Sequence, residues 1–338
     1  MPFINLPLEK RRAGEVPPEG DPASQLAIVG EAPGKVEVLE GRPFVGPAGR
    51  VLSECMHSAG ITRHQVYITN TIKVKPDNLG RFFNKRTGRF TPDGEEWVAR
   101  LRHELSVGGA RAIVTCGKVA TAALLGRADI TAIRGYPFEV LLGGVKRVVV
   151  PTIHPAETLY SRNSIHRLYI AHDLQKAARL ARDGWSPPQL EITIPQTVHE
   201  VRAAAELLQR ATGPWAIDIE VINFEVSCIG FAYAKNRAVV VPIARAWGLD
   251  AEVEVWDILA ELLETPGRVK IFHNAIFDVQ FLAQHNGIFV APPIFDTMIA
   301  HSLAYPDMLK SLGFIASVHT DLPYWKDWAD FKSIEREE

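Results

Sequence analysis

Apolar and polar positions along the chain follow two alternating periods. Short apolar runs closed by glycine, asparagine or a His-Pro pair read as buried strands: Leu26-Ala27-Ile28-Val29, Val66-Tyr67-Ile68-Thr69-Asn70, Ala112-Ile113-Val114-Thr115, and Val145 to Thr152. Between them apolar residues recur at helical spacing. Val51, Leu52, Cys55, Met56 and Ala59 do so within Gly49 to Gly60, and further helices fall at about 93–107, Gly117 to Leu125 and about 165–182. Strands alternating with helices predict an α/β sandwich with a mainly parallel sheet. Residues 1–24 are proline- and charge-rich without periodicity and read as an extended lead-in, which places this domain at 25–184.

Gly184-Trp185-Ser186-Pro187-Pro188 punctuates the chain and opens a linker at 185–198, with a second domain expected over 199–338. There Ala216-Ile217-Asp218-Ile219-Glu220 reads as a strand with both carboxylates on one face, because strand side chains alternate. Strand-like runs at Ser227–Tyr233 and Ala238–Ile243 flank a polar turn at Lys235-Asn236. A helix near 251–264 and a strand at Val269-Lys270-Ile271-Phe272 follow. In His273-Asn274-Ala275-Ile276-Phe277-Asp278, Asn274 and Asp278 stand four apart, which predicts a shared helix face.

Composition narrows the function. The 338 residues favour two domains, and 47% hydrophobic residues suffice for a core in each. A formal net charge of −2 supplies no bulk basic field, so any nucleic-acid binding must come from local patches. Cys55, Cys116 and Cys228 lie far apart and form no CxxC, which points to a reducing compartment and away from a disulfide framework. No apolar run approaches the roughly 20 residues of a bilayer span, and the N-terminus has no signal-peptide core. A cytoplasmic protein with no membrane partner is expected.

The candidate chemistry gathers at strand ends. The first strand opens into Gly30-Glu31-Ala32-Pro33-Gly34, followed by Gly41-Arg42-Pro43-Phe44-Val45-Gly46-Pro47-Ala48-Gly49, a loop whose backbone at Ala32, Pro33 and Gly34 a ligand could approach closely. A structural turn is the plainest reading. Gly30-x-x-x-Gly34-Lys35 also looks like a phosphate cradle, but it is one residue too short and has Val36 where Mg²⁺ needs a hydroxyl. Residues 73–89 hold Lys73, Lys75, Arg81, Lys85, Arg86 and Arg89 around Phe82 and Phe83, either a solvated loop or a phosphate-contacting loop with a stacking platform. His154 ends the last strand at the same edge as Glu31 and Asn70, a convergence of polar groups that marks a site.

These motifs, GEAPG, GRPFVGPAG, VYITN followed by KVKP, and HPAETLYSRN, closely resemble the uracil-DNA glycosylases of the thermophilic, iron–sulfur type over about 25–182. The resemblance implies that Phe44 stacks on an extruded uracil, Asn70 reads its edge and His154 donates to its O2 as the base leaves. It implies that Glu31 or Glu37 handles the attacking water, and that Leu159 and Arg162 push into the duplex. Such relatives carry four cluster cysteines; Lys73-Val74-Lys75-Pro76 replaces a Lys-Cys-Arg-Pro stretch here and the lead-in has no cysteine, so no iron–sulfur cluster is expected.

In the second half, Asp218-x-Glu220 and Asn274-x-x-Phe277-Asp278 resemble the first two motifs of the 3′–5′ exonuclease domain of DNA polymerase I and its relatives, as do Phe295-Asp296-Thr297-Met298 and Leu309-Lys310-Ser311-Leu312. That resemblance implies a ribonuclease-H-like fold in which Asp218, Glu220 and Asp278 hold Mg²⁺ or Mn²⁺, supported by Asn274 and Phe277. The family's last carboxylate, in a Tyr-x-x-x-Asp segment, has no match; Tyr324-x-x-Asp327 is wrongly spaced, so the domain is expected to be cut short at its C-terminus, its metal site incomplete and its exonuclease activity weak or absent. The expected activity of the first domain is excision of uracil or a related modified pyrimidine, with a non-catalytic base reader or DNA-holding domain in front of a polymerase as the alternative; the expected partner is DNA, single-stranded or template–primer. The chain is read as the N-terminal part of a phage-type DNA polymerase whose polymerase domain lies downstream.

Overall fold

A computed structural model describes residues 14–160, 165–243 and 246–327. The chain divides into two compact units, Pro188–Leu312 forming the second and the residues on either side of it the first.

In the first unit the elements run β1 (Leu26–Gly30), α1 (Lys35–Glu40), α2 (Pro47–Ser58), β2 (Val66–Asn70), β3 (Phe83–Asn84), β4 (Arg89–Phe90), α3 (Pro92–Val107), β5 (Ala112–Cys116), α4 (Gly117–Leu125), α5 (Ile130–Ile133), β6 (Phe138–Leu142), β7 (Val145–Thr152), α6 (Glu157–Tyr160) and α7 (Ile165–Asp183). The sheet order is β2-β1-β5-β7-β6. The first four strands are parallel, and β6 pairs antiparallel with β7 at the edge. Ala27 and Val29 of β1 pack with Leu101, Leu105, Ala120 and Leu124 of α3 and α4 on one face. α7 packs on the other face of the strands and against α2. This is the mixed, largely parallel α/β architecture expected, with β6 as an element the apolar pattern did not show.

Register sets the site. Gly30 pairs with Asn70 and Cys116 with Thr152, so β1, β2, β5 and β7 end level at one edge.

Three segments differ from expectation. Part of the lead-in belongs to the fold: Glu19 and Ile68 exchange both backbone hydrogen bonds, the Val16 amide donates to the Lys73 carbonyl, and Val16 is buried. Phe82 and Phe83 form no stacking platform. They are buried with Ile72, Trp97, Val119 and Ala122, and Val74 packs on that cluster. Residues Gly313 to Asp327, expected in the second domain, group by contact with the first unit.

That last segment is tightly bound. The Tyr136 hydroxyl donates to the Gly313 carbonyl at 2.5 Å, and the Phe314 ring lies 4.9 Å from that of Tyr169. Arg134 pairs with buried Asp173 and donates to Ser317 Oγ. Lys176 Nζ donates to the carbonyls of Gly135, Ser317 and Thr320; burial pushes its pKa down to about 8. Arg179 forms a fork with Asp321.

The second unit contains β8 (Glu191–Thr193), α8 (Val198–Arg210), β9 (Trp215–Ile222), β10 (Glu225–Ala234), β11 (Arg237–Pro242), α9 (Leu249–Glu264), β12 (Lys270–Phe272), α10 (Ala275–Asn286), β13 (Ile294–Asp296) and α11 (Thr297–Ala304). Its sheet order is β13-β12-β9-β10-β11-β8. Strands β9, β10 and β11 form an antiparallel meander, and β12 and β13 continue it in parallel. Trp215, Ile217 and Ile219 of β9 face the core with Leu208 of α8 and Leu259 and Leu263 of α9. By alternation Asp218 and Glu220 are exposed on the other face.

Candidate functional site

At the level edge of the first sheet, Gly30 lets two side chains close on the backbone. A β-carbon there would stand 2.3 Å from Asn70 Oδ1 and 2.6 Å from the Phe44 ring, so no other residue fits. The rings of Phe44 and His154 stack at 6.0 Å with 29° between their planes. With Ala32, Gly34, Leu159 and the start of α2, these residues line a cleft of about 330 Å³. The structure thus brings Phe44, Asn70 and His154 together.

His154 is held in one tautomer. Its Nδ1 accepts the Ala156 amide at 3.1 Å, so the neutral ring carries its proton on Nε2. Gly117, at φ +86°, lies directly behind it.

The two glutamates differ. Glu37 is buried, and its carboxylate accepts three backbone amides: Gly34 at 3.1 Å, Val45 at 3.2 Å and Gly46 at 2.7 Å. It lashes the two glycine-rich loops together. Glu31 accepts one amide, Val119 at 3.3 Å, and its Oε1 would stand 2.6 Å from a β-carbon on Gly117, beside His154.

The other expected site residues stand in different settings. Pro33 is buried, Leu159 is exposed at the mouth of the cleft, and Arg162 lies outside the described residues. Lys75 is exposed. Lys73 is not available to phosphate. It is 5% exposed, its Nζ stands 2.7 Å from Glu104, and it also donates to Thr69. Burial lowers its pKa, with Glu104 opposing. A lysine in a basic run reads as solvated; its partner lies on α3, which local sequence does not reveal. Gly117 has no side chain to signal a site, although Cys116-Gly117 ends β5 just as Val29-Gly30 ends β1.

In the second unit, Asp278 is buried beside β9 and accepts the Ile219 amide at 3.1 Å. Burial pushes its pKa up to about 6, with repulsion from Asp218 and Asp296 adding to it. Partial desolvation, then repulsion from Glu220, raises Asp218, while His273 opposes. Among the described residues, no three His, Cys, Asp or Glu side chains converge closely enough to hold an ion. The donor set is right in kind and open in geometry. Asn274 does not share a helix face with Asp278. It is the N-cap of α10, at φ 69°, with its amide donating to Asp296. Phe277 is exposed beside it.

Comparison with known proteins assigns both units. Residues 17–177 match the family model for the uracil DNA glycosylase superfamily, and residues 192–324 match that for a 3'-5' exonuclease. The chain is 36% identical to the type-4 uracil-DNA glycosylase of Thermotoga maritima, over 51% of this chain and 85% of that one. It is 34% identical to the type-4 uracil-DNA glycosylase of Sulfurisphaera tokodaii, over 50% and 76%. Among solved structures it matches the apo form of a nuclease at 25% identity and a TM-score of 0.28, covering 38% of this chain and 57% of the nuclease. By its first unit the chain belongs to the uracil DNA glycosylase superfamily, and it carries a 3'-5' exonuclease domain in the same polypeptide.

Proposed function

We propose that the first unit removes uracil from DNA by hydrolysing the N-glycosidic bond of an extruded nucleotide. The observation that carries this reading is the cleft in which Phe44 and Asn70 close against Gly30 beside a His154 locked as an Nε2–H donor. A flipped pyrimidine lies on the Phe44 ring, and the Asn70 amide pairs with its hydrogen-bonding edge. As the bond from C1′ to N1 breaks, its electron pair moves onto the base, and His154 Nε2–H stabilises the charge building on O2. Water adds its oxygen at C1′ and gives up a proton that ends on the uracil anion, so the base leaves neutral and an abasic sugar remains. A preorganised donor aimed at developing charge is worth about 10²–10³ in rate. Glu31 is the better candidate for holding the water, because the Glu37 oxygens are occupied by three amides.

For the second unit we infer 3′–5′ exonuclease action, supported by the family match and by Asp218, Glu220 and Asp278 on and beside β9. Those carboxylates would hold Mg²⁺ or Mn²⁺, which would supply activated water and charge neutralisation at the phosphate. On this reading the chain handles replication or repair intermediates, with proofreading beside a DNA polymerase as the setting for the nuclease.

The test is a labelled oligonucleotide with one uracil, incubated with the chain in EDTA and then treated with hot alkali. EDTA silences a metal-dependent nuclease and leaves a glycosylase untouched. Cleavage only at the uracil, lost in His154→Ala, supports excision. Absence of cleavage with tighter binding to uracil-DNA than to thymine-DNA makes the unit a reader instead.

A further inference from the structure

We propose that Arg63, held by Glu19, is a positioning residue that sets the ring of Phe44 in the base pocket, an inference that rests on reading the cleft as the seat of an extruded pyrimidine.

Phe44 has φ 50°, a left-handed backbone that a bulky side chain rarely adopts. Something must hold it there. Gly49 makes room, since a β-carbon on it would stand 2.0 Å from the Phe44 carbonyl oxygen. Arg63 supplies the restraint: Nη1 donates to the Phe44 carbonyl at 3.1 Å, and Nη2 to that of Pro43. The same guanidinium is fixed by Glu19, with Nε donating at 2.7 Å and Nη2 at 2.8 Å. Arg42, two residues before Phe44, donates to the same carboxylate at 2.8 Å and 3.2 Å. One carboxylate therefore grips the loop through two arginines.

The anchor is tied to the sheet. Glu19 exchanges backbone hydrogen bonds with Ile68, two residues before Asn70 on β2. The stacking ring and the residue expected to read the base edge thus share one mount on the edge of the sheet. The guanidinium makes these four bonds at once from the fixed fork of its five N–H donors, whereas a lysine ammonium has three donors around a single nitrogen.

Two readouts test this. The first is single-turnover excision of uracil in a double-mutant cycle of Arg63→Ala and Phe44→Ala. Arg63→Ala is expected to slow excision by roughly 10²-fold, the cost of misplacing a reacting group by about 1 Å. Arg63→Lys should recover it only in part, and Arg63→Ala should cost nothing further in the Phe44→Ala background. Additive losses would overturn the proposal. The second readout needs no activity: the His154 ring-proton NMR resonances, which feel the ring current of Phe44 6.0 Å away. In Arg63→Ala and Glu19→Gln they should move toward their positions in Phe44→Ala. Resonances that stay in place sink the clamp, whatever excision does. Moved resonances in a chain that never excises uracil leave the clamp standing and sink the excision reading.

Discussion

Gly117 lies so close behind His154 that a β-carbon added to it would stand 2.8 Å from the histidine's own Cβ. It would also meet Glu31 Oε1 at 2.6 Å, and Gly117 holds φ +86°, where an L side chain is strained. Gly117→Ala should therefore push His154 and Glu31 off their positions together. Uracil excision should fall by about 10²-fold or more, read in single-turnover assays. Unfolding temperature should drop by only a few degrees. A variant with full activity would place neither residue in the reaction.

Arg134 and Asp173 are 3% and 1% exposed, and Asp173 also accepts the Thr152 hydroxyl at 2.7 Å. Removing one partner strands a buried charge. Asp173→Ala should cost roughly 3–5 kcal/mol in urea unfolding. Replacing an exposed pair such as Arg210–Glu206 should cost less than about 1 kcal/mol.

Glu19 gives the first unit a defined response to acid. The hydrogen bond from Arg63, with Arg42 adding to it, lowers its pKa from 4.5 to about 2 against the upward push of burial. A carboxylate depressed in the folded state contributes stability that is complete above its unfolded value and is lost as pH falls toward its folded value. The wild type should exceed Glu19→Gln in urea midpoint at pH 6, and the gap should close between pH 4.5 and pH 2.

Lys73 and Lys75 should separate cleanly. Lys75→Ala, at an exposed position, should weaken DNA binding and lower the salt slope by about 1. Lys73→Met should leave the slope unchanged and lower thermal stability, because it strips Glu104 of its ammonium partner.

In the second unit, burial and like charge raise the Asp278 pKa to about 6, so at neutral pH its ionised form is held at a cost. Asp278→Asn keeps an oxygen for the Ile219 amide and removes the charge. Without divalent ions the unfolding temperature should rise by ~2–4 °C. Any nuclease activity with Mg²⁺ should disappear.

The parallel strands were legible because each is a short apolar run closed by a residue that ends it. Their ends were legible for the same reason, and register did the rest by levelling Gly30 with Asn70. What stayed hidden depends on partners distant in sequence. Glu19 sits in an aperiodic stretch and gains meaning only when paired with Ile68 and Arg63. Lys73 sits among cations, and its burial follows from Glu104 on α3. Phe82 and Phe83 lie in a charged loop whose hairpin folds them onto Trp97. The short helix α1 and strand β8 carry too few residues to show a period.

The segment from Gly313 to Asp327 has a consequence for synthesis on the ribosome. A chain emerging from its N-terminus usually folds its domains in order. Here the surface around Tyr136, Tyr169 and Lys176 is completed by residues made only after the whole of Pro188–Leu312. At roughly 5–20 residues per second that surface waits on the order of 10 s, with a half-satisfied buried lysine and an uncovered aromatic face. The first unit therefore stays open at that surface until the whole of the second has left the ribosome.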